Sequence, residues 1–356
     1  MKQGQIINGY KVLQNFSTAG SGLSKWTFAQ KDGHVYFLKE FLSPVYPTDG
    51  SPGSTETKER RLKACADFEE RTRAIMMAIP KPVVSGGNLV VAEAFFRGGT
   101  KYYKVTAKVD TASIPIAQLA RLPEKKKVLL LKTICHSLRT LHAANVVHGD
   151  LRPENILIKE TATGDYTGKL IDFDSSFFAG KPPSVEGLIS DPMYYAPEVG
   201  RYIERSGSAP RKMIHAAADI FSLGLLFCEY LTGALPAFDR EAYRYPYVAV
   251  ANGRKLTMGG EQVPGYLQTL TESMLRSNPQ ERPDIDWVFA VLQDPTLIPV
   301  GIVLEEPVVG PKTDSTKIKG TLAQSKPKSE EPAKPEENTD SSGLKTSKLK
   351  GTLINR

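Results

Sequence analysis

Apolar and polar positions alternate with a period of two in three short runs near the start of the chain. These are Gly9-Tyr10-Lys11-Val12-Leu13, Lys25-Trp26-Thr27-Phe28-Ala29 and His34-Val35-Tyr36-Phe37-Leu38-Lys39. Glycine-bearing turns separate them, so the pattern predicts an antiparallel meander. A Pro/Gly/Ser-rich insert, Ser43 to Ser54, precedes a charged run from Thr55 to Ile79 that predicts one long helix. Strand-like runs follow at Asn88 to Phe96 and Lys101 to Val109. After Val109 the period lengthens: from Glu124 to Ala144 the apolar residues Val128, Leu131, Ile134, Cys135, Leu138 and Leu141 recur at three- and four-residue steps, the stripe of an amphipathic helix. The expected class is α+β, with a β-rich first part and a mostly helical second.

The apolar pattern fades towards the end. No aromatic residue follows Phe289, and from about Pro307 the chain turns to Lys, Glu, Ser, Thr and Pro, too polar to offset chain entropy by burial. A flexible tail, residues 298–356, is therefore expected. It carries a duplicated motif, Lys317-Ile318-Lys319-Gly320-Thr321-Leu322 and Lys348-Leu349-Lys350-Gly351-Thr352-Leu353.

Composition narrows the class further. In 356 residues, 40% hydrophobic and 24% charged, there is room for one large or two ordinary cores. Cys65, Cys135 and Cys228 stand far apart without a CxxC pair, which argues for a reducing, cytoplasmic setting and against a disulfide framework or zinc site. The start, MKQGQIINGY, is too polar for a signal peptide, and Ile220 to Phe238 is interrupted by Ser222, Glu229, Thr232, Gly233 and Pro236, so no membrane association is expected. The net charge of +7 comes from scattered lysines without interleaved aromatics, which does not favour nucleic acid as a partner.

The chemistry concentrates in His148-Gly149-Asp150-Leu151-Arg152-Pro153-Glu154-Asn155-Ile156-Leu157-Ile158 and in Leu170-Ile171-Asp172-Phe173-Asp174. These segments resemble the HRDLxxxN and DFG elements of protein kinases. Ala196-Pro197-Glu198 resembles the APE element, Asp219-Ile220-Phe221-Ser222-Leu223-Gly224 the D-x-W-S-x-G helix, and Arg282-Pro283 the late arginine that pairs with the APE glutamate. In order and spacing the resemblance covers residues 8–297. It implies a bilobal fold: an ATP-binding N-lobe, residues 1–109, and a catalytic, substrate-binding C-lobe, residues 110–297. It also implies an ATP-dependent serine/threonine protein kinase that uses Mg2+, or Mn2+ in its place. The general look is similar to bacterial eukaryotic-like (Hanks-type) kinases, some of which work beside a PP2C-type phosphatase.

Phosphoryl transfer needs a carboxylate within reach of the acceptor hydroxyl and oxygen ligands for a cation on the phosphates. The resemblance gives the first role to Asp150 and the metal role to Asn155 and Asp172. A turn at Thr163-Gly164-Asp165 allows a hairpin to return Asp172 to the others. Taken singly, each of these residues reads as an ordinary cap or turn former; taken together they do not. The resemblance further assigns Lys39 to the α/β-phosphates, Gly20, Ser21 and Gly22 to a degenerate phosphate-covering loop, Thr106 to the gatekeeper, Val109 to the adenine hinge and Leu157 to the nucleotide pocket. Family spacing makes Glu70 the helix partner of Lys39, whereas helical geometry brings Glu69 nearer the apolar face.

Five departures matter. Gly149 replaces the HRD arginine, which argues against control by a phosphorylated activation segment. Asp174 replaces the DFG glycine, and Phe37 the small residue that lies against adenine. Arg152 and Asp191 stand where the family has the Lys and Thr that steady the acceptor hydroxyl, and together they predict a substitute ion pair. A pseudokinase scaffold is the alternative these departures raise. His148-Gly149-Asp150 also resembles aminoglycoside- and choline-type small-molecule kinases, but the APE segment, Asp219 and Arg282 favour a protein substrate. In the tail, Thr321 and Thr352 are expected autophosphorylation sites that would dock a phosphothreonine reader such as a forkhead-associated (FHA) domain.

Overall fold

The computed structural model describes residues 2–18, 24–80, 87–109, 114–188, 190–207, 210–259 and 263–298. The alternating runs form β1 (Ile6–Ile7), β2 (Tyr10–Val12), β3 (Ser24–Lys31) and β4 (His34–Phe41), followed by helix α1 (Thr55–Ala78), β5 (Ala92–Gly98) and β6 (Lys101–Ala107). The strands make one antiparallel sheet in the order β1-β2-β3-β4-β6-β5. Period-two alternation sends its side chains to two faces. One face buries Tyr10, Val12, Leu38, Tyr103 and Val105. The other buries Phe41, Phe95 and Tyr102 against Cys65 and Phe68 of α1. Ser54 caps α1 by accepting from the Thr57 amide, and the helix stops where Ile79, ahead of Pro80, turns extended.

The strand expected from Asn88 begins only at Ala92. Asn88 and Val90 bond instead to Leu170, Leu170 N donating to Asn88 O at 2.8 Å and Val90 N to Leu170 O at 2.9 Å. This short stretch thus ties the sheet to the helical part.

That part comprises α2 (Ile116–Ala120), α3 (Glu124–Ala143), β7 (Val146–Val147), the hairpin β8 (Ile156–Glu160) and β9 (Tyr166–Leu170), and β10 (Phe177–Phe178). Helices α4 (Pro197–Glu204), α5 (Ala216–Thr232), α6 (Pro246–Ala251), α7 (Gly265–Met274) and α8 (Ile285–Gln293) follow. Helix α5 is apolar on every side and buried from Ala217 to Leu231, as expected of a helix with neighbours all around it. Gly233, at φ +88°, closes it in the left-handed conformation. The hairpin turn lies where Thr163-Gly164-Asp165 predicts it, closed by Thr161 N donating to Asp165 O at 2.7 Å. A curled β-sheet lobe and a helical lobe together make the expected bilobal α+β fold.

Candidate active site

The loop from Val147 to Ile156 takes its shape from a buried acid. Asp219, at the start of α5, accepts from the backbone amides of His148 (2.7 Å) and Gly149 (3.0 Å), and His142 Nε2 lies 3.0 Å from the same carboxylate. Burial alone would raise the Asp219 carboxyl, but the His142 bond and charge, the His148 ring and the Gly149 amide together outweigh it and hold the carboxyl below its ordinary value. Ser176 donates to the His148 carbonyl at 3.0 Å, and His148 Nε2 lies 3.1 Å from the Ile171 carbonyl, so the loop is also fixed to the segment leaving β9.

Asp150 and Asn155 meet across this loop. Asn155 Nδ2 donates to the Asp150 carbonyl at 2.8 Å and to its carboxylate at 2.9 Å, which leaves the Asn155 amide oxygen as an acceptor at the cleft. The second Asp150 oxygen accepts a short hydrogen bond from the Ser190 hydroxyl. Burial raises the Asp150 carboxyl, partly offset by Ser190, His148 and Arg152. Arg152 places Nη1 3.9 Å from Asp191 Oδ2, so the two replaced family positions do face one another. Arg152 Nε is buried with no hydrogen-bond partner and lies 3.5 Å from Glu154 and 3.9 Å from Asp150.

Asp172, in the left-handed conformation at φ +61°, turns back towards the sheet. Lys39 Nζ lies 2.7 Å from Asp172 Oδ2 and 2.6 Å from Asp174 Oδ2. Lys104, the register partner of Lys39 on β6, contacts Asp172 Oδ1 at 3.5 Å and makes a short contact to Asp174 Oδ1. Burial opposes the Asp172 charge, yet Lys39 and Lys104 hold its carboxyl well below the usual range. Burial likewise opposes the charge on Lys39, and Asp174 and Asp172 more than compensate, raising its pKa.

The helix partner expected for Lys39 is corrected here. Glu70 is exposed, and Glu69 accepts from the Tyr102 hydroxyl at 2.7 Å; neither pairs with Lys39. The reason is geometric. The face of α1 turned to the cleft runs through Phe68, Arg71, Thr72 and Ile75, which puts a cation where the family has a carboxylate.

Beside these charges is a cavity of about 310 Å³, lined by Trp26, Phe37, Thr106, Val109, Asn155 and Leu157 together with Lys39 and Asp172. Phe37 stacks on Trp26 with centroids 5.4 Å apart, so aromatic rings form the roof. Gly20, Ser21 and Gly22 lie outside the described residues, as do Thr321 and Thr352. Glu198 of α4 is bound by Arg282 through Nη1 (2.7 Å) and Nη2 (2.9 Å), both side chains being buried. Ser222 pins the Tyr194 carbonyl at 2.7 Å, so the segment carrying Ser190 and Asp191 is anchored to α5.

Sequence reasoning missed Lys104, Arg71 and Ser190. Lys104 was legible as the one charge among the buried positions of Tyr102-Tyr103-Lys104-Val105, and Arg71 as a cation three residues after Phe68 and four before Ile75 on the inner face. Ser190 carried no signal of its own.

The donor set suits a hard cation shared with a nucleotide. Among the described residues no group of three His, Cys, Asp or Glu side chains gathers as a dedicated metal cage would. An ionised carboxylate and an amide oxygen, Asp172 and Asn155, are what a Mg2+-type ion held jointly with phosphates requires. No helix among the described residues is long and apolar enough to cross a membrane.

A family model described as the protein kinase domain matches residues 84–294. Among curated proteins, the chain is 32% identical to the ovarian-specific serine/threonine-protein kinase Lok of Drosophila melanogaster over 171 residues, 47% of this chain and 34% of Lok. It is 24% identical to serine/threonine-protein kinase nekl-2 of Caenorhabditis elegans over 279 residues, 76% of this chain and 72% of that protein. To serine/threonine-protein kinase PkaA of Streptomyces coelicolor it is 32% identical over 162 residues, 44% of this chain and 27% of PkaA. The chain thus spans about a third of Lok and about a quarter of PkaA.

Proposed function

We propose that this chain, which belongs to the protein kinase family, transfers the γ-phosphate of ATP to Ser or Thr hydroxyls of protein substrates. One observation carries the reading: the Ser190 hydroxyl donates to the Asp150 carboxylate, which Asn155 orients from the other side. An acceptor hydroxyl arriving in place of Ser190 would give up its proton to Asp150 as it attacks phosphorus. Arg152 Nε, buried and without a hydrogen-bond partner, is the donor left for the acceptor or the phosphoryl group in flight. Asp172 and Asn155 would hold the Mg2+, which supplies charge neutralisation on the phosphates. Lys39 binds the phosphates, and the aromatic roof of Trp26 and Phe37 takes the base. Protein substrates fit better than small alcohols, because the buried Glu198–Arg282 pair supports a folded segment beside Asp150 on which a peptide can lie.

In a radiolabelled ATP assay with a generic protein and a set of small alcohols, label is expected on the protein. Asp150→Asn should lower turnover about 10²- to 10⁴-fold with nucleotide binding nearly intact. Undiminished transfer by that variant would remove Asp150 from the mechanism. Tail autophosphorylation belongs to the same proposal: phosphopeptide mapping after incubation with Mg2+ and ATP should find phosphate at Thr321 or Thr352. Phosphate only at other sites would refute the tail as a docking segment for an FHA-type reader. A PP2C-type phosphatase that removes such phosphate is the complementary partner proposed.

A further inference from the structure

Lys39 and Lys104 are register partners on adjacent strands, both buried and both turned to the same face. Two ammonium groups directly opposite each other repel unless acid lies between them. Asp174 supplies that acid, one oxygen on each lysine, and Asp172 adds a second. Helix α1 contributes no carboxylate: Glu69 is taken by Tyr102, and Glu70 faces solvent. What α1 turns to the cluster is Arg71, which lines one small cavity with Lys104, Phe173 and Asp174. Its guanidinium also reaches Gly187, where an added Cβ would lie 3.2 Å from Nη1. Asp174 is the acid nearest to all three cations, in contact with both lysines and lining the cavity that Arg71 enters.

We propose that Asp174, in contact with Lys104 and sharing a small cavity with Arg71, is the carboxylate that positions Lys39 for the nucleotide's phosphates, so that this lysine is oriented from the loop after β9 and not from α1. The inference rests on the kinase reading of the same cleft. It treats Asp174, Arg71 and Lys104 as positioning residues that act through Lys39. Two departures then explain each other: an acid where a glycine is usual, and a cation where a helix glutamate is usual, are one exchange of charge between α1 and the loop. Three cations against two acids also leave one net positive charge at the phosphate end of the cleft when Asp172 and Asp174 are both ionised.

The exchange can be reversed in the full-length chain. Calorimetric titration with Mg2+ and ATP, and separately with adenosine, reads the phosphate contacts apart from the base contacts. Asp174→Gly should weaken ATP binding about 10- to 100-fold, the scale of a lost charge-assisted contact, and leave adenosine unchanged. Arg71→Glu alone should also weaken ATP. The double variant Asp174→Gly with Arg71→Glu returns the carboxylate to α1 and should recover ATP affinity to within a few fold. Asp174→Asn, which keeps the side-chain shape, serves where the glycine variant does not fold, and Glu70→Gln should change nothing. An Asp174→Gly protein that binds ATP as well as or better than the parent would overturn the proposal, since Asp174 would then be sequestering Lys39. A double variant no better than the singles would overturn it too. Should the parent chain bind neither ATP nor adenosine, the kinase reading itself fails, an outcome distinct from either of these.

Discussion

Gly149 sits at φ +77°, and an added Cβ would lie 2.6 Å from the Ser175 carbonyl, a backbone atom with little room to move. The glycine is thus demanded by the local backbone, whatever its absence of charge does for regulation. Restoring the arginine usual at this place should therefore destabilise the fold by about 1–3 kcal/mol, the cost of a side chain forced into the left-handed region, before any added charge contact. Alanine should cost nearly as much, because the conflict is at Cβ. Urea unfolding of Gly149→Arg and Gly149→Ala measures both, and an alanine variant as stable as the parent would contradict the clash. Arg152 and Asp191 make a second test at this scale. Their charges are 3.9 Å apart, so a double-mutant cycle on kcat/KM should give losses that do not add.

Among the elements, the loop between β7 and β8 depends on α5. Asp219 holds two loop amides and His142 from a buried position, and its carboxyl is depressed below the ordinary value of 3.8. A depressed acid contributes stability above its unfolded pKa, and that contribution is lost as pH falls through the folded value. The parent chain should therefore lose stability below about pH 4 more steeply than Asp219→Asn, while at neutral pH the variant is the weaker of the two. Parallel pH profiles would refute the assignment. The elements themselves were largely legible, since α1, α3, the meander and the β8–β9 hairpin follow from periodicity and turn chemistry that act locally. What escaped is non-local. The start of β5 slipped to Ala92 because Asn88 and Val90 take partners on β9, far away in sequence. The partner of Lys39 was misassigned because family spacing cannot register the rotation of α1 that exposes Glu70 and turns Arg71 inward. Asp150, Asn155 and Asp172 were read correctly as neighbours, because one loop and one hairpin fix their meeting.

The whole molecule joins its two lobes through backbone bonds, ion pairs and apolar packing. The sheet supplies Lys39, Trp26 and Phe37 to the cleft; the helical lobe supplies Asn155, Leu157 and Asp172. Apart from the chain itself, the links include the Leu170 bonds to Asn88 and Val90, Lys169 Nζ donating to the Gly87 carbonyl at 2.6 Å, the charges around Asp172 and Asp174, and Ile75, Ile79 and Leu89 packed into the core of the helical lobe. A nucleotide seated in the cavity would touch both lobes at once, so its binding energy should appear as stability of the whole fold. At a concentration 100 times its dissociation constant a ligand that binds only the native state adds about 2.7 kcal/mol. For a folded region of this size that corresponds to a rise in Tm of about 4–5 °C. Differential scanning calorimetry should show the rise with Mg2+ and ATP, in one cooperative transition, and a smaller one for adenosine at the same concentration. Lys39→Ala should bring the two ligands closer together, because it removes a phosphate contact and spares the aromatic roof. A Tm unmoved by ATP across the millimolar range would exclude the cleft between the lobes as a nucleotide site.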